Sequence, residues 1–217
     1  MPAVPDALHR ADRRHADTDD FASILMSEER REWQDPGPIL ERLQLKEGIV
    51  AADLGCGPGF FTIPLARMAG ERGTIYAVDG SERMLHQLSS NLVAYGVDKR
   101  IVKPVHGDVS STGLASGCAD LVLFANVLHD LTERDAFAAE VLRIMKDDGR
   151  AVDIDWKREE STLGPPNSVR VAEEEAIELM ARNGFALERK IVAGPHHYGL
   201  IFRKKTRGGR SSVHDNR

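Results

Sequence analysis

A glycine-rich turn near residue 55 constrains the fold of this chain more than any other feature of its sequence. An apolar run over residues 50–52 leads into the turn, which reads Asp53-Leu54-Gly55-Cys56-Gly57-Pro58-Gly59. A buried strand that turns through glycines into a helix lets a ligand approach backbone that carries no side chain. Phe60 stands where the pyrophosphate-binding GxGxxG pattern has its third glycine. The turn therefore predicts a ligand-binding strand–helix unit that differs from the dinucleotide type.

The remainder of the chain alternates short β-rich runs with helical periodicity, a pattern typical of βαβ units and a parallel sheet. We predict strands at residues 49–54, 74–79, 101–106, 120–125 and 150–155, and helices at residues 62–68, 81–95, 133–145 and 172–183. Two further strands, at 187–192 and 198–203, flank the turn at residues 193–195. They predict a terminal antiparallel hairpin, which a plain dinucleotide-binding sheet does not have.

An acidic residue, Asp79, ends the second predicted strand, 24 residues after Gly55. In dinucleotide-binding folds a carboxylate at this place accepts hydrogen bonds from the ribose hydroxyls. The glycine turn and Asp79 together indicate a site for a ligand that contains a ribose.

Composition excludes several classes of function. The net charge of -5 disfavours a broad nucleic-acid surface, because affinity for phosphate backbones depends on clustered Lys and Arg. No apolar run approaches the roughly 18 residues of a membrane helix, and the N-terminus has no signal-peptide core, so we expect a cytoplasmic protein. The two cysteines, Cys56 and Cys118, form no disulfide framework and no metal knuckle. Nothing in the sequence specifies an oligomeric state.

Both ends of the chain lack apolar periodicity. The length of 217 residues suits one domain. We assign residues 37–204 to that domain and residues 1–36 to a partly disordered N-terminal segment. Residues 205–217 form a basic tail that we expect to be disordered.

The segment Asp53–Gly59 resembles the first motif of class I S-adenosylmethionine-dependent methyltransferases. Three later segments resemble further landmarks of that family in the same order: residues 106–109, 124–130 and 145–150, the last in place of an "LKPGG" turn before the fifth strand. The small-molecule type 11 subgroup, which includes ubiquinone- and menaquinone-biosynthesis methyltransferases, is the most similar. The resemblance implies an α/β, Rossmann-like, seven-stranded, mostly parallel sheet with an antiparallel last strand and helices on both faces.

The resemblance also implies S-adenosyl-L-methionine as cofactor and a set of residues that bind it. It places Asp108 on the adenine amino group, residues 124–130 beside the methionine end of the cofactor, and Trp33 in a segment that can close over the active site as a lid. Trp33 is equally compatible with ordinary packing. The cofactor-binding set is Asp53, Gly55, Cys56, Gly57, Gly59, Phe60, Asp79, Gly80, Met84, Asp108, Val109 and Asn126.

Methyl transfer is an in-line displacement at a sulfonium carbon, so the protein chiefly orients the acceptor. An acceptor that carries a hydroxyl or an acidic carbon also needs a base. By their positions His129, Asp155 and His196 are the candidates. The adjacent His196 and His197 face opposite sides of an extended chain, so we expect no metal site.

The acceptor is not identified by these patterns. Residues 126–129 lack the Asn-Pro-Pro-Tyr motif of enzymes that methylate adenine or glutamine amides, and no Pro-Cys pair of the pyrimidine-carbon enzymes is present. These features favour a small-molecule acceptor. Two alternatives stay open: a non-enzymatic S-adenosylmethionine-binding regulator, since cofactor motifs do not demonstrate turnover, and an NAD-dependent oxidoreductase.

Overall fold

The computed structural model describes residues 19–205. The strands are β1 Val50–Leu54, β2 Thr74–Asp79, β3 Val102–His106, β4 Ala119–Ala125, β5 Met145–Trp156, β6 Phe185–Val192 and β7 His197–Lys204. The α-helices are α1 Asp19–Leu25, α2 Glu28–Trp33, α3 Pro36–Glu41, α4 Thr62–Ala69, α5 Glu82–Ala94, α6 Arg134–Ile144 and α7 Glu173–Arg182. A single turn of 3-10 helix, Leu128–Asp130, follows β4.

The strands form one seven-stranded sheet in the order β3-β2-β1-β4-β5-β7-β6. Strands β1 to β5 pair in parallel, whereas β7 runs antiparallel to both of its neighbours. The predicted mostly parallel sheet with an antiparallel last strand is therefore confirmed. The strand order reverses between β1 and β4, and open α/β sheets bind ligands at the carboxyl ends of the strands beside such a reversal.

Apolar residues pack against both faces of the sheet. One cluster joins Leu88 of α5 and Leu65 of α4 to β1 and β2, and the other joins Phe137 of α6 and Leu179 of α7 to β4 and β5. Strand β4 carries a nearly continuous apolar run because helices cover both of its sides. The carboxyl ends of the central strands are thereby held rigidly at one edge.

Helix α5 confirms the predicted helix at residues 81–95 to within one residue at each end. The Ser81 hydroxyl accepts a hydrogen bond from the Met84 backbone N–H at 3.2 Å, which caps the first turn. This cap fixes where α5 begins, directly after the end of β2.

The segment before the fifth strand differs from the expected turn at residues 145–150. Strand β5 begins at Met145, which pairs with Ala119, and pairing resumes where Arg150 faces Leu121. The residues between these pairs form a bulge within the strand. Main-chain pairing with β4 therefore makes β5 begin five residues earlier than predicted. The strand includes Asp147, Asp148 and Gly149, whose composition had indicated a turn.

Three short helices precede β1, where the sequence analysis identified none. Helix α2 is capped by Ser27, and α3 by Asp35 with Pro36 in its first turn. Ile39 and Leu40 of α3 join the core. Helices of six or seven residues are too short to display an amphipathic period, so the sequence pattern did not reveal them.

The predictions of disorder at residues 1–18 and 206–217 lie outside the described residues. None of the helices within residues 19–205 has the length and apolar character needed to cross a membrane.

Candidate active site

A cavity of about 350 Å³ opens at the carboxyl ends of β1, β2, β4 and β5. Eight of the predicted cofactor-binding residues line it: Asp53, Gly55, Cys56, Gly57, Phe60, Asp79, Met84 and Asn126. Other walls come from Arg30 and Trp33 of α2, from His129, from Trp156 at the end of β5, and from Pro165 in the loop that follows it. The predicted residues thus share the cavity with side chains that precede β1 and with side chains that follow β4.

The glycine turn connects β1 to α4 and depends on the absence of a side chain at Gly59. Gly59 has φ +101°, and a Cβ there would lie 2.6 Å from Leu88 Cδ1 of α5. Gly59 therefore allows close packing of the turn on α5 and does not line the cavity, whereas Gly55 and Gly57 do.

Asp79 links the glycine turn to the start of α5. Its Oδ2 accepts a hydrogen bond from the Gly57 N–H at 2.8 Å, and its Oδ1 accepts one from the Ser81 N–H at 2.9 Å. These bonds hold the carboxylate at the cavity wall, where it is half-buried. Its position suits acceptance of hydrogen bonds from a ligand's hydroxyls.

Asp53 lies buried beneath the turn and accepts a hydrogen bond from the Thr62 hydroxyl at 2.5 Å. Burial raises the pKa of Asp53 to about 7, and the nearby Asp79 charge adds to this rise, while Thr62 and Arg30 oppose it. The carboxyl is consequently close to half protonated at neutral pH. Cys56 is also buried, and burial raises the pKa of its thiol well above the ordinary value, so it is no thiolate nucleophile.

His129 lies in the 3-10 turn after β4 and faces Asp155 of β5. Its Nδ1 is 2.7 Å from Asp155 Oδ1, and its backbone N–H donates to Asp155 Oδ2 at 3.2 Å. Burial opposes protonation of the imidazole, but the charge and hydrogen bond of Asp155 outweigh it and raise the pKa of His129 above its usual value. Because a carboxylate can only accept, Nδ1 carries a proton and Nε2 is left to exchange one.

The three base candidates therefore occupy different environments. His129 lines the cavity, while Asp155 is fully buried behind it. His196 does not line the cavity, and its Nδ1 lies 3.6 Å from Glu159 Oε1. The two predicted residues His129 and Asp155 are thus brought together, and His196 is separated from them.

Four predicted cofactor residues lie away from the cavity lining. Gly59 is one of them. The Gly80 carbonyl lies 3.1 Å from His106 Nε2. Asp108 is exposed and accepts a hydrogen bond from the Ser110 N–H at 2.7 Å, while Val109 packs partly buried against the second core cluster. The roles given to these four residues stay predictions.

The rings of Trp33 and Trp156 form an aromatic wall of the cavity. The ring centroids of Trp33 and Trp156 are 5.2 Å apart, and the buried His197 ring lies 4.1 Å from Trp156 and 5.6 Å from Trp33. Trp33 therefore both packs and lines the cavity, as the two readings of this residue allowed.

Sequence reasoning missed the two buried arginines near the site. Arg30 of α2 is 6% exposed, and its guanidinium lies 4.0 Å from the Phe60 ring centroid. Arg170 donates to the carbonyls of Lys157 and Pro165 and so fixes the loop that carries Pro165. A lone arginine in a charged segment gives no sequence signal of burial.

Two polar side chains tie α2 to the end of β4. The Asn126 side-chain amide donates to Gln34 Oε1 at 3.0 Å, and Gln34 is fully buried. Asn126 has φ +61°, a left-handed conformation that asparagine tolerates better than most residues. The segment before β1 is thus anchored directly to the site.

Comparison with known proteins agrees with this architecture. The family model for the methyltransferase domain of type 11 matches residues 52–152. The crystal structure of a SAM-dependent methyltransferase from Aquifex aeolicus is similar, with a TM-score of 0.79 and 28% identity, covering 84% of this chain and 96% of that chain.

Two curated relatives carry the same printed name. The demethylmenaquinone methyltransferase of Lactobacillus johnsonii is 28% identical over 112 residues, which cover 52% of this chain and 46% of the relative. That of Bacillus licheniformis is 25% identical over 142 residues, which cover 65% of this chain and 59% of the relative. The chain spans about half the length of the curated relatives it matches.

The antiparallel β7, the glycine turn without a third GxGxxG glycine and the family match all argue against the dinucleotide-dependent alternative. S-adenosylmethionine is the cofactor that the matching family uses. Residues 52–152 match the type 11 methyltransferase domain, and this match with the similar solved structure and curated relatives supports a class I S-adenosylmethionine-dependent methyltransferase.

Proposed function

We propose that this protein transfers the methyl group of S-adenosylmethionine to a small-molecule acceptor, with His129 as the general base. The observation that carries the proposal is the hydrogen bond of His129 to the buried Asp155 at the wall of the cavity. A histidine in this setting can take a proton from an acceptor hydroxyl.

The residues around the glycine turn fit the cofactor. The turn offers the backbone of Gly55 and Gly57 at the cavity wall, and Asp79 offers a carboxylate suited to two vicinal hydroxyls. When bound, S-adenosylmethionine supplies an electrophilic methyl group on a sulfonium. The predicted set that we propose to hold it is Asp53, Gly55, Cys56, Gly57, Phe60, Asp79, Met84 and Asn126, with Gly59, Gly80, Asp108 and Val109 in support.

Asp155 acts through His129 in this proposal. It accepts the His129 Nδ1–H, the His129 backbone N–H and the Trp156 backbone N–H, the last at 2.7 Å. These bonds fix the ring orientation and the tautomer that leaves Nε2 able to accept a proton. His196 is not among the residues that line the cavity, so we do not propose it as the base.

The acceptor we propose is a flat ring that carries a hydroxyl. Trp33 and Trp156 provide aromatic surfaces on the acceptor side, and such surfaces bind planar rings by stacking. The relatives' printed name, demethylmenaquinone methyltransferase, names a quinone, which is likewise a flat ring.

We propose a cytoplasmic location without a nucleic-acid partner. The two cysteines are free thiols, and the net charge is -5.

We also propose that residues 37–204 form the catalytic domain and that the preceding segment serves as a lid. The contacts of Arg30 and Trp33 with the cavity support this role of the segment.

Titration calorimetry tests the cofactor first, with S-adenosylmethionine and S-adenosylhomocysteine against the wild-type protein and Asp79→Ala. We expect micromolar binding that the substitution weakens at least tenfold. Absence of binding to the wild-type protein would refute the proposal, and a thermal shift with NAD but not with S-adenosylhomocysteine would reinstate a dinucleotide ligand.

Turnover is tested with tritiated-methyl S-adenosylmethionine and a panel of hydroquinones, naphthoquinols, catechols and aliphatic alcohols. We expect product only with the aromatic hydroxyl compounds, and loss of product in His129→Gln. Tight cofactor binding without product from any acceptor would favour a non-enzymatic regulator.

A further inference from the structure

Arg30 is the feature of the cavity that the proposed chemistry does not use. It projects from α2, and the part of the chain that the structure describes contains no carboxylate within ion-pair distance of its guanidinium. Its hydrogen bonds go to uncharged oxygens: Nε and Nη2 donate to Gln34 Oε1 at 3.1 and 2.8 Å, and Nη1 donates to the Leu25 carbonyl at 2.9 Å.

A buried guanidinium among neutral acceptors is poorly compensated for the water it has lost. Burial, with the like charge of Arg31, lowers the pKa of Arg30 to about 9, and nearby Asp53 only partly offsets this. Asp53 is itself held by Thr62 and is partly protonated at neutral pH, so it is an incomplete counter-charge. The site is therefore short of one negative charge beside Arg30.

The charges around the cavity restrict what can supply that negative charge. Among the described residues that line the cavity, Arg30 is the one arginine and there is no lysine. Three lining residues carry carboxyl groups: Asp53, Asp79 and Asp130. S-adenosylmethionine carries one anionic group, the carboxylate of its amino-acid end, together with a cationic ammonium and a cationic sulfonium. The acids suit the cationic and hydroxyl groups, and Arg30 alone suits the carboxylate.

We infer that Arg30 binds the carboxylate of the cofactor's amino-acid end. The inference rests on the proposed function for its ligand, but it concerns a residue outside the matched family segment 52–152. A planar guanidinium matches a carboxylate in shape, and the bond between the two is stronger than one between neutral groups. Two of the five guanidinium N–H groups remain for it, since the bonds to Gln34 and Leu25 occupy three.

The contacts of α2 also connect Arg30 to the acceptor side of the cavity. Gln34, which accepts from Arg30, also accepts from the Asn126 amide at the end of β4. Trp33, on the same helix, forms part of the aromatic wall. A ligand carboxylate at Arg30 thus stabilises the helix that completes the acceptor side.

Calorimetric titration of Arg30→Gln with three ligands tests the inference without any acceptor. The ligands are S-adenosylhomocysteine, decarboxylated S-adenosylmethionine, which lacks only the carboxylate, and S-adenosylmethionine itself. We expect the substitution to weaken binding of the two carboxylate ligands by about 10- to 100-fold, as for a hydrogen bond between charged groups. Binding of the decarboxylated ligand should change by less than about threefold.

Arg31→Gln is the matched control, because Arg31 neighbours Arg30 on α2 but pairs with Glu28 and does not line the cavity. It should leave all three affinities unchanged. An equal loss for all three ligands in Arg30→Gln would overturn the inference and make Arg30 a packing residue.

A folding defect in Arg30→Gln would not prevent the test. The wild-type protein should bind S-adenosylmethionine at least tenfold more tightly than its decarboxylated form, and Arg30→Lys should retain part of that preference. Equal wild-type affinity for the two ligands refutes the assignment of Arg30. Binding of neither ligand refutes the proposed function instead.

Discussion

His129 and Asp155 form a buried pair in which the imidazole Nδ1 lies 2.7 Å from the carboxylate Oδ1. Their side chains are 7% and 0% exposed, so the carboxylate is shielded from water and its effect on the imidazole is strong. The pair crosses from the turn after β4 to the end of β5, two adjacent parallel strands.

The first prediction concerns the pH dependence of turnover. Because Asp155 raises the pKa of His129, the neutral base form increases as pH rises through that pKa, and kcat should rise with it. Asp155→Asn removes the charge but leaves the burial, so the pKa falls and the acidic limb should move to lower pH. We expect kcat to fall by about 10²- to 10⁴-fold, measured from pH 5 to 9. An unchanged limb would show that His129 is not the titrating base.

The second prediction uses the two tryptophans of the chain as reporters. The chain has two tryptophans, Trp33 and Trp156, and both line the cavity. A planar acceptor that stacks on this wall should therefore quench most of the intrinsic fluorescence. Trp33→Ala should raise KM for the acceptor by about tenfold, the loss of one aromatic contact, while Trp33→Phe retains the wall. A loss confined to cofactor affinity would contradict the acceptor-side position of Trp33.

The third prediction concerns stability and Asp53. A pKa of about 7 in the folded protein means that folding favours the protonated carboxyl, so the free energy of unfolding falls as pH rises from about 4 to 7. Asp53→Asn removes this dependence. The difference in free energy of unfolding between Asp53→Asn and the wild type should therefore grow in favour of the variant by a few kcal/mol from about pH 4 to 7 and level off above pH 7. Urea unfolding at several pH values measures this difference. A pH-independent difference would place the Asp53 pKa near its ordinary value.

The fourth prediction concerns the junction between α2 and the turn before β7. Gly194 has φ +105°, and a Cβ there would lie 2.2 Å from the Trp33 carbonyl oxygen. Gly194→Ala should therefore destabilise the protein by about 1–3 kcal/mol from strain, with a further cost from the contact with the backbone. It should also displace Trp33 and shift its emission to longer wavelength.

Gly96→Ala is the control for Gly194→Ala, since Gly96 has φ +65° and open space around its Cβ position. It carries the conformational strain without the collision. Equal losses of stability in the two variants would mean that Trp33 can move aside freely.

The sheet was predictable from sequence because each strand carries a local signal. Strand β4 is a continuous apolar run, and β2 ends at an aspartate followed by a capping serine, so both ends of that turn were visible. The bulge in β5 was not predictable, because the pairing of Met145 with Ala119 is a tertiary contact between residues far apart in sequence. Its local composition favoured a turn.

The site was predictable in part for the same reason. Asp53 and Asp79 lie at the carboxyl ends of β1 and β2, and His129 comes soon after β4, so the parallel strands place the three side chains together. The pairing of His129 with Asp155 needed the order of β4 and β5 in the sheet. Arg30 lies on a helix of six residues whose docking depends on Gln34 and Asn126, and no local pattern reports such a long-range hydrogen bond.

The cavity walls divide unevenly along the chain. Residues 52–152 supply the glycine turn, Asp79 and His129. The aromatic wall comes from the two flanks of this segment: Trp33 precedes it and Trp156 follows it. Arg30 lies on the same flank as Trp33, so a relative that shares only the central segment keeps the glycine turn and Asp79 but not the arginine. Acceptor choice should therefore follow exchange of the flanks, and a flank transplanted from a relative should transfer its selectivity only when it also supplies an arginine in the place of Arg30.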